Sequence, residues 1–417
     1  MTLSSSLSDL TFPIYQVRQA ARKLVEAGAG SQSHLLELMA TELEKAQDTI
    51  LEANTLDLEA SLEMAVPDLV LDWLKLTPER LQMTVRILRR LGSLGDLRVL
   101  AQQPLSRLNQ AASGYSQVVP LGVIALVYEA FPELAAVAAG LCVRTGNGLI
   151  LKGGNEASQT NQAMVQVLKR AFDRAGLPEK CILSLAADEG DATRTRLVQS
   201  EGVDLIIPYG RPSLIQQVLR QATVPVLPTA MGNCYLYWAA SGEIETVVRL
   251  IVDSHRGEPD AVNAIEKVLI HESHSIPSVI QLCRQLWENG FTLRGEGSLL
   301  ESLPDLTSAT EAEWDQAYLN KTVALRWVDR LETATAFINR HSSRHADCVV
   351  TESYRESCRF TQTVQSAALY VNASPRFSRN PTQASAISLG MTSQRGRCSG
   401  FIGLEALMTV KHVIQGL

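Results

Sequence analysis

The sequence predicts an α/β protein of two doubly wound domains. Three observations carry this: a helical opening with amphipathic spacing, apolar strand-type runs that alternate with helices, and a length of 417 residues, more than one hydrophobic core usually holds. Strands that are apolar throughout and joined by helices imply parallel pairing, with helices on both faces of each sheet.

From Pro13 to about Arg90, apolar residues recur at three- and four-residue spacing in VRQAARKLVEAG and HLLELMATELEKAQDTILEAN, which predicts a helical layer. LTPERLQMTVRILRRL adds Thr77 as an N-cap, Pro78 at the first helical position and Glu79 in the first turn. GYSQVVPLGVIALVYEAFP then ends in a strand-type run, AAVAAGLCVRTG reads as a small-residue helix closed by Gly146, and NGLILKGGNEA supplies a strand with a Gly-Gly turn. A helix through MVQVLKRAFDRAG, closed at Gly176, leads to ILSLAAD, and DLIIPYGRPSLIQQVLRQA adds a unit ending at the short strand VPVLP.

A second block begins after Gly232 with NCYLYW, the helix GEIETVVRLIVDSH, and residues 253–271, DSHRGEPDAVNAIEKVLIH, where a helix-compatible run precedes an apolar strand. The block continues through SVIQLCRQLWENG to SAALYVN, and the final GLEALMTVKHVIQGL reads as a helix followed by a strand that must pair.

A net charge of −6 leaves no basic stripe to neutralise a run of phosphates, so nucleic acid is not an expected partner. No stretch of about 18 uninterrupted apolar residues occurs, so no membrane span is expected. MTLSSSLSDLTFPIYQ lacks the basic and apolar regions of a secretion signal, and the expected location is cytoplasmic. Seven cysteines without CxxC or CxxH spacing fit a reducing compartment. HESH at 271–274 is a close histidine pair with no third ligand in spacing, so no metal site is expected.

Open parallel sheets bind ligands at the carboxyl ends of their strands. The two best loops of that kind are LILKGGNEA and LIIPYGRPS; neither is a GxGxxG fingerprint, and a tight turn is the competing reading of each.

At VPLGVIALVYEAFP, LILKGGNEA, GLPEKCILSL, VDLIIPYG and GLEALMTVKHVI the sequence resembles the γ-glutamyl phosphate reductases, a branch of the aldehyde dehydrogenase superfamily. The likeness runs in order from about Gln16, through EANTLDLEAS, to SAALYVNASPRFS and the C-terminus. It implies an aldehyde-dehydrogenase-like fold with a cofactor domain at 1–229, a catalytic domain at 230–370 and a return at 371–417. It also implies an arm around 103–120 that pairs with a partner subunit in a homo-oligomer, a dimer or tetramer. The implied reaction is NADPH-dependent reduction of L-glutamate 5-phosphate to L-glutamate 5-semialdehyde and phosphate, a step of proline biosynthesis. In that reaction a cysteine thiolate attacks the acyl phosphate and the thioester takes a hydride. Lys152, Gly153, Gly154 and Glu156 would lie near the adenosine half of NADPH, Gly210 near its phosphates, and Arg211 is a candidate for the 2′-phosphate.

The same resemblance places residues 253–271 at the family's nucleophile segment, anchored by Pro259, Asn263, Ala264, Glu266 and Leu269-Ile270-His271. The family's cysteine precedes the Asn-Ala pair; here that residue is Val262, which cannot form a thioester. The family's Arg-Pro-Asn after Tyr128-Glu129-Ala130 becomes Phe131-Pro132-Glu133, and Glu133 would repel a phosphorylated substrate wherever it faces the site. His-Ala-Arg-Gly-Pro becomes Arg397-Cys398-Ser399-Gly400-Phe401, Ser388 stands for an acidic residue, and HRGE precedes Pro259 where the family has a Lys and a Gln. Cys234 is the best substitute nucleophile, with a buried inert thiol as the competing reading. Cys348, Cys358 and Cys398 rank lower, and Cys142, Cys181 and Cys283 read as core. The alternative to a working reductase is a catalytically impaired paralogue, a pseudoenzyme acting as a binding or regulatory subunit. A free-aldehyde dehydrogenase is disfavoured, because its Gly-Gln-x-Cys segment is missing.

Overall fold

The computed structural model describes residues 10–95, 103–109, 112–186, 190–256, 260–381, 387–393 and 400–416. Gly257, Glu258, Pro259 and Arg397 to Ser399 lie outside them. The chain divides into two compact units: Met1–Thr229 with Arg379–Leu389 and Ile402–Leu417, and Ala230–Ser378 with Gly390–Phe401. The second unit thus runs past residue 370, and the returning segment is shared between the two.

In the first unit the amphipathic opening forms α1 (Thr11–Glu26), α2 (Gly28–Lys45), α3 (Gln47–Glu63), α4 (Asp68–Leu74) and α5 (Pro78–Ser93). Thr77 caps α5, its hydroxyl oxygen accepting the Arg80 N–H at 3.3 Å. The face of α5 carrying Leu81, Val85, Leu88 and Leu91 is buried. Within that layer the Arg80 guanidinium donates to both carboxylate oxygens of Glu133 at 2.7 Å, with both side chains buried. The expectation that Glu133 opposes a phosphate is therefore corrected: its charge is neutralised by Arg80 at the N-terminus of the next helix, α6 (Leu134–Thr145). Gly146, at φ +82°, closes α6 where an added Cβ would come within 2.6 Å of Val25.

Strands β3 (Val123–Tyr128), β4 (Gly148–Gly153), β5 (Ile182–Ser184) and β6 (Leu205–Tyr209) form a parallel sheet in the order β5-β4-β3-β6. Helices α7 (Ser158–Arg174), α8 (Gly190–Val198) and α9 (Pro212–Gln221) connect or follow these strands. VPVLP makes only the bridge Ile206↔Val226, because Pro225 and Pro228 have no N–H to extend a ladder. A separate antiparallel sheet joins β1 (Gln103–Asn109), β2 (Ala112–Pro120) and β16 (Met408–Gly416). GLEAL gives a single 3₁₀ turn, Glu405–Leu407, and no longer helix, since Gly403 and the strand leave room for no more.

The second unit is built on a seven-stranded parallel sheet. Along the chain run β7 (Cys234–Trp238), α10 (Ile244–Ser254), β8 (Ile265–His271), α11 (Ile276–Glu288), β9 (Thr292–Gly295), α12 (Ser298–Ser302), β10 (Thr307–Ser308), β11 (Thr322–Val328), α13 (Leu331–His341), β12 (Ala346–Val350), α14 (Tyr354–Thr363) and β13 (Ala368–Val371). Their spatial order is β10-β9-β11-β8-β7-β12-β13. Period-two alternation sends Leu236 and Trp238 of β7 into one core, with residues of α10 and α11, and Tyr235 and Tyr237 into the other, with residues of α13. A short pair, β14 (Met391–Thr392) and β15 (Gly400–Phe401), completes this unit. Residues 260–264 enter β8 as a turn, not as a helix.

Two substitutions in the helical layer separate a cap from a buried ion pair. Arg80→Ala strands the Glu133 carboxylate and is expected to cost about 3–5 kcal/mol, whereas Thr77→Ala costs about 1 kcal/mol. Urea unfolding of the two variants measures the difference, and equal losses would contradict the pairing.

Candidate functional site

In the first unit the carboxyl ends of β3 and β4 open onto a pocket of about 210 Å³. Four of the five residues expected at the cofactor meet here: Lys152, Gly153, Gly154 and Glu156 line it, with Tyr128, Glu129, Asp191 and Arg194. The Lys152 ammonium donates to the Gly153 carbonyl at 3.3 Å. Gly153 and Gly154 allow close approach: a Cβ on the first would strike the Asn161 amide, and one on the second the Glu156 carboxylate. Glu156 accepts the Ala130 N–H at 2.6 Å, and burial raises its pKa above the ordinary carboxylate range.

Gly210, at φ +148°, sits behind this wall, and an added Cβ would lie 2.8 Å from Glu129. The Arg211 guanidinium is already engaged: its Nε and Nη2 donate to Glu129 at 3.1 and 2.8 Å, and its backbone N–H donates to the same carboxylate at 2.9 Å. Arg211, the candidate for the 2′-phosphate, is thus paired with Glu129 in this structure. A neighbouring pocket of about 490 Å³ shares Tyr128 and Gly153 as walls and adds Asn161, Gln162, Lys169 and Ser184.

In the second unit Val262 is fully buried, packed with Phe377 and Met391. Its carbonyl accepts the Gly232 N–H at 2.9 Å and the His345 Nε2–H at 2.8 Å. Burial lowers the His345 pKa to about 4, so the ring is neutral at neutral pH, and Ser343 Oγ lies 2.8 Å from its Nδ1. Cys234, the first residue of β7, is fully buried with its sulfur 3.4 Å from His345 Nε2. Burial and the nearby Asp347 push its thiol well above the ordinary range. Asn263 is buried and donates through Nδ2 to the Pro375 carbonyl at 2.8 Å. Ser388, in the first unit, is buried with no partner for its hydroxyl among the described residues.

Sequence reasoning did not single out Arg194, Asn161, His345 or Asp347, none of which stands in a motif. Glu129 carries a signal in its place just beyond β3, at the carboxyl end of a parallel strand. Among the described residues no cluster of three or more His, Cys, Asp or Glu could hold a metal ion, and no helix is long and apolar enough to cross a membrane.

Comparison with known proteins follows the same lines. The model of the aldehyde dehydrogenase family matches residues 14–276. Gamma-glutamyl phosphate reductase 2 of Synechocystis sp. is 46% identical over 419 residues, covering 100% of this chain and 99% of the relative. The gamma-glutamyl phosphate reductase of Gloeobacter violaceus is 36% identical, covering 99% and 98%. The crystal structure of gamma-glutamyl phosphate reductase from Thermotoga maritima superimposes with a TM-score of 0.89 at 28% identity, covering 98% of this chain and 99% of that one. Fold and site define an oxidoreductase scaffold of the aldehyde dehydrogenase type. Within that class the chain belongs to the γ-glutamyl phosphate reductase family, the reductases of proline biosynthesis.

Asp347 gives the second unit a pH dependence. Buried, and accepting from Tyr235 N–H and the hydroxyls of Ser342 and Ser366, it has a pKa raised by burial to about 7 against an ordinary 3.8. The folded state therefore binds this proton more tightly than the unfolded chain. The associated stability is full below about pH 4 and is lost as pH rises through 7. Asp347→Asn is expected to flatten thermal stability between pH 4 and 7; an unchanged pH profile would count against the raised value.

Proposed function

We propose that the first unit binds NADPH and that the chain's substrate is L-glutamate 5-phosphate, the reaction being its reduction to the semialdehyde with release of phosphate. Full-length similarity to enzymes named for that reaction supports the substrate class. The pocket beyond β3 and β4 supports the nucleotide, because a cradle without side chains, one lysine and buried unpaired donors suit an anionic ligand. When bound, the nucleotide supplies the hydride. Lys152 and the Gly153-Gly154 turn would hold its adenosine half, and Gly210 would let its phosphates approach the backbone. The cytoplasm and a homo-oligomer joined through the edge of the β1-β2-β16 sheet complete this reading.

One observation favours a second reading: the side chain at the nucleophile position is valine. Covalent catalysis needs a lone pair on a reactive atom, and Val262 offers two methyl groups in an apolar cluster. Cys234 is no ready substitute, since a buried thiol with a raised pKa holds almost no thiolate at neutral pH. In this reading the chain is a catalytically impaired paralogue acting as a binding or regulatory subunit.

Two measurements separate the readings. NADPH at a hundredfold excess over its dissociation constant should stabilise the protein by about 2.7 kcal/mol, seen as a raised thermal midpoint; an unmoved midpoint removes the cofactor from both readings. Oxidation of the semialdehyde with NADP⁺ and phosphate is then assayed in the unmodified chain, Cys234→Ser and Val262→Cys. The impaired reading requires turnover only in Val262→Cys, at least about a thousandfold above the unmodified chain, given what a missing nucleophile commonly costs. Turnover by the unmodified chain that persists in Cys234→Ser would establish the working reductase and eliminate the impaired one.

A further inference from the structure

Arg211 is paired with Glu129 and does not line the pocket, whereas a second arginine does. Arg194 lies on the first turns of α8 and lines the pocket beside Lys152 and Gly153-Gly154. Its side chain is 14% exposed. Nε and Nη2 are buried and form no hydrogen bond among the described residues. Nη2 does lie 3.1 Å from the Asp191 carboxylate, an ion pair without hydrogen-bond geometry to an aspartate that is 78% exposed. A buried guanidinium with idle donors is costly unless something accepts from them.

A second buried donor points the same way. Asn161 is 8% exposed and accepts the Tyr128 O–H at 2.9 Å, while its Nδ2 donates to nothing among the described residues and lies against Gly153. Two unsatisfied donors thus flank the Gly153 wall that the adjoining pockets share.

Of the described carboxylates around the pocket only Asp191 pairs with Arg194, and it does so without hydrogen-bond geometry. Glu129 is engaged by Arg211. Glu156 is tied to the Ala130 N–H, and burial favours its neutral form. A planar guanidinium meets a phosphate with two parallel N–H donors, a geometry that a ribose hydroxyl cannot match.

We propose that Arg194 reads the 2′-phosphate of NADPH and so sets the choice between the phosphorylated and unphosphorylated nucleotide. The inference rests on the NADPH reading above and goes further by naming its specificity residue.

The test is titration calorimetry of the full chain with adenosine 2′,5′-bisphosphate and with 5′-AMP, which needs no turnover. The unmodified chain should bind the bisphosphate at least about tenfold more tightly, as one or two charge-assisted hydrogen bonds would give. Arg194→Gln should abolish that preference with 5′-AMP affinity unchanged, which also shows that the variant is folded. Asp191→Asn, which frees the guanidinium, should keep or widen the preference. A wild-type preference that survives Arg194→Gln, or an equal loss for both nucleotides, overturns the role of Arg194 while leaving the NADPH site standing. Equal affinity of the unmodified chain for the two ligands overturns the role as well. Binding of neither nucleotide overturns the cofactor reading and this inference together.

Discussion

The buried carboxylate of Glu266 is the group on which the second unit's site depends. It accepts N–H donors from Asn233, Tyr318 and Leu319, all at 2.8 Å. Two of those donors, Asn233 at φ +54° and Leu319 at φ +56°, are held in left-handed backbone that costs a non-glycine residue on the order of 1–3 kcal/mol and persists only where the surroundings fix it. Gly232, beside them at φ +64°, must be glycine, because an added Cβ would lie 2.8 Å from the same carboxylate. Burial raises the pKa of Glu266, while Lys267, 3.9 Å away, and the three N–H donors oppose that shift. Lys267 is in turn lowered to about 8 by burial, with its ammonium over the Tyr318 ring.

From this anchor the geometry passes to residue 262. Glu266 fixes the Gly232-Asn233 turn, and the Gly232 N–H then holds the Val262 carbonyl alongside His345. The Val262 carbonyl is therefore held by two donors, a backbone N–H and a histidine ring. The Val262 side chain, lined by Phe377 and Met391, sits in an apolar setting and strands no polar atom of its own.

Periodicity made the helical layer, the parallel strands and the Thr77 cap legible, since burial on one face or two writes itself into the spacing of apolar residues. Short elements were less legible. VPVLP has strand-like side chains but two prolines, and GLEAL has helix-forming residues but no room. Side-chain charge was legible as a sign and not as a direction: Glu133 turns to Arg80 and Arg211 to Glu129, partners separated from them by 53 and 82 positions in the chain. For the same reason Arg194 and His345 carried no signal, because their significance lies in what they meet across the fold.

The two units leave different atoms unsatisfied, and the difference bears on what each can bind. Around the first unit's pockets the idle buried atoms are donors, Arg194 Nε and Nη2 and Asn161 Nδ2, which suit an anion. In the second unit, apart from the Trp314 indole, they are Oδ1 of Asn233 and Asn263 and the Thr392 hydroxyl, and no idle buried cation stands among the described residues there. An acyl phosphate that sheds phosphate needs donors or cations where the negative charge collects. The first unit therefore offers an anion complement that the described residues around Val262 lack.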